Sequence, residues 1–150
     1  PTVLQLVKDT GYPGMKVLEF AFDSREESDY LPHTYPRNCV VYTGTHDNET
    51  VSGWYKELND QDRKFADDYL NLYGRKEEEI PMEFVRAALS SVADTAIIPV
   101  QDYLGLGKEA RINTPSTLGN NWKWRMRAGS LNNDRLNEMR YLASVFGRES

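Results

Sequence analysis

Cysteine is almost missing from this chain. Cys39 is the only one in 150 residues, which excludes an intramolecular disulfide and suits a reducing compartment. With only two histidines beside it, a Cys/His zinc site lacks its ligands. No apolar run approaches the ~20 residues that a membrane-spanning helix needs, and no signal-peptide pattern opens the chain. Excess positive charge is missing too: 18 Lys and Arg stand against 23 Asp and Glu, a formal net charge of -5. With no basic run to offset that balance, neither nucleic acid nor a membrane is an expected partner. Internal repeats and low-complexity segments are absent. So is an initiating Met: the opening PTVLQLVKDTG reads as the interior of a helical region, so the numbering is expected to start inside a longer protein.

What remains is the composition of a folding chain. Hydrophobic residues make up 39% and aromatic residues 11%, enough for a single domain with a core. Val3, Leu4 and Val7 predict a short amphipathic helix over 2–10, stopped by Gly11. The run 15–22 (MKVLEFAF) predicts a buried strand, and the polar, Pro-containing segment 23–38 a long loop. Residues 39–42 predict a second strand. Helices follow over 48–59 (Val51, Trp54, Tyr55, Leu58 at helical spacing) and 60–73 (Phe65, Ala66, Tyr69, Leu72). The charged run 75–79 reads as a solvated turn. A helix over 81–93 starts on Pro81 with a stripe of Met82, Val85, Leu89 and Val92. The third strand is expected over 96–100, with Pro99 near its end. Segment 101–129 reads as a loop and 131–146 as a closing helix. Strands separated by helices predict an α/β fold with a parallel sheet, and three strands are too few to close a barrel.

In parallel α/β folds, ligands gather at the carboxyl ends of the strands. Each strand here leads into polar residues: the first through Glu19 towards Asp23, the second into Thr45, His46, Asp47 and Asn48, the third into Gln101 and Asp102. Taken singly, each has a plainer reading. Asp47 and Asn48 also suit capping of the next helix, and Gln101 and Asp102 suit ordinary loop chemistry. Carboxylates, amide and imidazole beside aromatic rings are the groups that recognise sugars, hydrogen-bonding hydroxyls and packing on the apolar ring faces. Tyr42, Tyr103, Trp122 and Trp124 are the candidate rings, with core packing as the alternative for the tryptophans.

The stretch VVYTGTHDNETVSGWY (40–55) resembles the last catalytic motif of the 4-α-glucanotransferases (amylomaltase, or disproportionating enzyme), a family of the α-amylase superfamily. GYPGMKVLEFAF upstream and IIPVQDYLGLGKEARINTPSTLGNNWKWRM downstream resemble the same family, in order and spacing, across nearly the whole chain. The resemblance implies that residues 1–150 are a single partial domain, the C-terminal third of a (β/α)8 barrel, with the three strands as its sixth to eighth. It implies retaining transfer of an α-1,4-glucan segment to the 4-hydroxyl of an acceptor, by a carboxylate nucleophile and a carboxylic acid/base. Asp47 then matches the third carboxylate, which stabilises the transition state, and His46 matches a sugar-binding His. Asn48 is expected beside them as a substrate-binding residue that positions either of them. Asn113, Pro115, Asn121 and Trp122 match the segment bordering the substrate cleft. The nucleophile and acid/base of the family lie after its fourth and fifth strands, upstream of Pro1, so the isolated chain is expected to be inactive. The partners implied are malto-oligosaccharides and other α-1,4-glucans, with no cofactor and no metal. Self-association, or pairing with the remainder of the barrel, is also expected, as is a location in the cytoplasm, or in the plastid stroma for a plant protein. The alternative is a non-catalytic carbohydrate-binding or self-associating module.

Overall fold

The computed structural model describes residues 2–148. Three short strands, β1 (Gly14–Val17), β2 (Cys39–Tyr42) and β3 (Thr95–Ile97), form one parallel sheet in sequence order. Gly14 pairs with Cys39 and Val40 with Thr95. With short 3-10 turns between them stand helices α1 (Val3–Thr10), α2 (Val51–Glu57), α3 (Asp60–Leu70), α4 (Ile80–Ser90), α5 (Val100–Tyr103) and α6 (Asn133–Val145).

Local chemistry sets the helix ends. The Thr50 hydroxyl accepts from the Gly53 amide at the start of α2, and the Asn59 side chain accepts from the Gln61 and Asp62 amides at the start of α3. Asn71 ends α3 in the left-handed region, which Asn tolerates better than most residues. Pro81 occupies the first turn of α4, where its missing N–H costs nothing.

Several boundaries differ from expectation. β1 stops at Val17, and Leu18–Ala21 tighten into a 3-10 turn instead of extending the strand to Phe22. The turn buries Leu18, Glu19 and Ala21 and brings Phe22 into the core. β3 runs over Thr95–Ile97, because Pro99 cannot donate to the ladder; Pro99 instead precedes α5, a short helix inside the segment read as loop. Ser91 is already extended, so α4 ends before Val92, which stands 52% exposed off the end of its predicted stripe. In α1, Val3 and Val7 are exposed, so the expected apolar face is bare; the Leu4 side chain lies outside the described residues.

The core lies between the sheet and α2, α3 and α4. Phe22 and Phe84 meet edge to face at 5.6 Å, and Trp54 meets Phe84 at 5.4 Å. A smaller cluster joins Val85, Leu89, Tyr103 and Leu142. Tyr103 is therefore a core residue and not an exposed platform for a sugar.

Candidate functional site at the strand ends

Because the sheet is all parallel, the residues following β1, β2 and β3 emerge at one edge. They form a buried floor and an open rim. Asp102, on α5, is 2% exposed. One of its oxygens accepts from the Thr43 hydroxyl and the other from the Val51 amide at 2.9 Å. It thus ties the end of β2 to the start of α2. Burial pushes its carboxyl up to about 6 against these two hydrogen bonds. Glu19 is 5% exposed, and its Oε1 has no hydrogen-bond partner among the described residues. Burial, then the negative charges of Asp102 and Glu49, push its carboxyl up to about 9, against the opposing pull of the Arg111 charge. Glu19 is therefore a neutral acid at pH 7. Gly44 passes directly over it: a Cβ there would stand 2.7 Å from Glu19 Oε1 and 3.3 Å from Asn48 Cβ, so the close approach requires glycine.

The rim is built around Asp47. Asn113 Nδ2 donates to Asp47 Oδ1 at 2.6 Å, and His46 Nε2 lies 3.3 Å from the same oxygen. Both contacts fall on Oδ1; Oδ2 has no hydrogen bond among the described residues. The Asn113 amide donates to the His46 carbonyl at 3.2 Å, and the His46 ring packs against the Trp122 ring with centroids 5.1 Å apart. Trp122 is 57% exposed and sits at φ 64°, a left-handed conformation unusual for so bulky a residue. Its amide donates to the Ile112 carbonyl at 2.7 Å. The structure thus unites four of the residues read from sequence: His46, Asp47, Asn113 and Trp122.

Others are placed differently. The Asn48 side chain makes no hydrogen bond to Asp47 or His46 among the described residues. Its Oδ1 accepts from the Thr45 amide and hydroxyl, at 3.0 and 2.7 Å, closing the turn after β2. The helix-capping alternative for Asp47 and Asn48 is overturned, since Thr50 caps α2. Asn121 braces its own loop, accepting from the Thr114 amide and donating to the Thr117 carbonyl. Pro115 is exposed in that loop. Asp23 leaves the site altogether and pairs with Arg25. Arg111 and Glu49 were not singled out from sequence, yet they pair at 3.4 Å beside the floor. The alternation Arg111-Ile112-Asn113 was the one available signal, and it is a weak one.

The rim offers one carboxylate oxygen, an amide, an imidazole and an indole face, a set suited to a sugar ring. Paired-carboxylate glycosyl chemistry needs two further carboxyl groups at the bond being cleaved. Glu19 and Asp102 cannot serve, being sealed under Gly44 and committed to Thr43 and Val51. Asp47 lies on an open shelf. A concavity of about 850 Å³ lies elsewhere, between loop 24–34 and α3, and shares no residue with the rim. The cavity beneath His46, lined in part by Asp102 and Arg111, holds about 30 Å³, room for about one water molecule.

Comparison with known proteins points to one family. The profile of the 4-alpha-glucanotransferase family matches residues 1–132. The 4-alpha-glucanotransferase of Clostridium butyricum is 45% identical over 146 residues, covering 97% of this chain and 30% of that protein. The chloroplastic/amyloplastic 4-alpha-glucanotransferase DPE1 of Arabidopsis thaliana is 45% identical over 150 residues, covering 97% of this chain and 26% of that protein. Among solved structures, the amylomaltase from Streptococcus agalactiae in complex with acarbose superposes with a TM-score of 0.92 at 34% identity, over 98% of this chain and 30% of that one. The chain thus spans about 30% of the length of the C. butyricum relative. On the family match over 132 of its 150 residues, this chain belongs to the 4-alpha-glucanotransferase family.

Proposed function

We propose that this chain forms the C-terminal third of a 4-α-glucanotransferase barrel, in which β1, β2 and β3 are the sixth, seventh and eighth strands. The observation that carries the reading is the cluster of His46, Asp47, Asn113 and Trp122 at the end of the middle strand. Asp47 is the transition-state carboxylate. Its Oδ1 is held by Asn113, and its Oδ2 takes hydroxyls of the sugar whose bond is broken, favouring the distorted ring. His46 binds the same sugar, and Trp122 offers a ring face. Nucleophile and acid/base belong to the part of the barrel that this chain does not contain. Transfer prevails over hydrolysis when an acceptor sugar outcompetes water for the covalent intermediate. The substrates are α-1,4-glucans and malto-oligosaccharides, and the compartment is the cytoplasm, or the plastid stroma in a plant.

Maltotriose is the test substrate. The full-length polypeptide carrying this segment should convert it to glucose and longer oligosaccharides, whereas residues 1–150 alone should not. Transfer by the isolated chain contradicts the division of the site; no transfer by the full-length polypeptide contradicts the function. The second reading, a self-associating module, draws on the outer edges of β1 and β3, which pair with nothing among the described residues.

A further inference from the structure

Asp47 is more than a third exposed and lies in a segment with no regular structure. Something must hold it still: its side chain meets the Asn113 side chain and the His46 ring, and its amide donates to Thr45 Oγ1 at 3.3 Å within the same turn. The sheet does not reach this far: the last β2 residue paired to either neighbour is Tyr42.

Arg111 supplies the missing restraint. Its Nη2 donates to the Asp47 carbonyl at 2.8 Å and its Nε to the Asn113 carbonyl at 2.9 Å, while Nη1 meets Glu49 Oε2 at 3.4 Å. One planar group therefore binds the main chains of the two residues whose side chains meet at Asp47 Oδ1, and the carboxylate two residues along. The side chains of Arg111 and Glu49 are only 26% and 15% exposed, so water competes weakly for the contacts. A guanidinium holds its donors in a rigid fork, and a lysine ammonium cannot reach three acceptors spread across that plane. We propose that Arg111 is a positioning residue for Asp47, locking the two main chains in one frame and so fixing which carboxylate oxygen faces the sugar. The inference rests on the glucanotransferase reading above.

The test is maltotriose transfer by the full-length polypeptide, comparing wild type with Arg111→Lys. Displacing a catalytic group by about 1 Å costs on the order of 100-fold in rate. The expected result is a kcat lowered about 10- to 100-fold with KM within about twofold, in a protein whose thermal midpoint is close to wild type. If Arg111→Lys does not fold, Arg111→Gln, which keeps planar N–H donors without the charge, is read in the same way. A kcat within about twofold of wild type overturns the inference. So does a variant whose only defect is a lowered midpoint, or one in which KM rises while kcat holds. An inactive wild type removes the parent reading instead, and this inference with it.

Discussion

Glu19 and Asp47 leave the same edge of the sheet for opposite environments. Asp47 stays in water with two partners on one oxygen, while Glu19 is sealed beneath Gly44 beside two other carboxylates. A buried acid with no cation in direct contact stays protonated, because ionising it would place uncompensated charge in the interior. The consequence is a stability that falls with pH. Between the ordinary value of 4.5 and about 9, the folded chain keeps a proton on Glu19 that the unfolded chain has released. Asp102 does the same between 3.8 and about 6. Glu19→Gln should therefore abolish the loss of stability between pH ~6 and ~9 and leave below pH ~6 only the share that belongs to Asp102. Near pH ~8 the variant should be more stable by about 2 kcal/mol or more. Urea unfolding across this range measures it, and an unchanged slope in the variant would show that Glu19 is not the titrating group. At this scale His46 and Asp47 were legible in the sequence because a strand ending on polar side chains is a local signal. Arg111 was not, since its partners Asp47 and Glu49 lie more than sixty positions away and no local pattern links them.

Among the elements, α4 has its C-terminal end held from a distance. Arg148, just beyond α6, donates to the carbonyls of Leu89, Ser91 and Ala93 at 2.9, 2.8 and 2.6 Å. These are the carbonyls left without partners where a helix stops and turns towards β3. Arg148→Ala strips all three at once and should cost about 2–3 kcal/mol in denaturant unfolding, with Arg148→Lys recovering only part. A loss below about 0.5 kcal/mol would mean that water satisfies those carbonyls equally well. Most of the elements were legible because their apolar spacing is strong, as with Phe65, Ala66 and Tyr69 on α3 or Val85 and Leu89 on α4. The end of β1 and the existence of α5 were not. An apolar run such as Leu18-Glu19-Phe20-Ala21 does not reveal whether it extends or coils, and four helical residues leave no periodicity to detect.

At the scale of the whole molecule, three parallel strands leave two edges that a closed barrel would pair. Met15 on β1 and Ile97 on β3 are 58% and 47% exposed, and Val3 and Leu6 on α1 are exposed as well. Such edges and patches drive association, so residues 1–150 should form concentration-dependent oligomers in sedimentation velocity. A sharp monomer at high concentration would count against the open-edge account. The proposed barrel rests on the family resemblance: no spacing within three strands specifies eight.

In the proposed function, Asp47 serves glucan transfer as the transition-state carboxylate of a larger barrel. Asp47→Asn in the full-length polypeptide tests it most directly, because the substitution keeps the shape and the acceptor oxygen while removing the charge. Maltotriose transfer should fall at least ~100- to 1,000-fold, with unfolding behaviour unchanged. A variant that retains a tenth or more of wild-type turnover would contradict it.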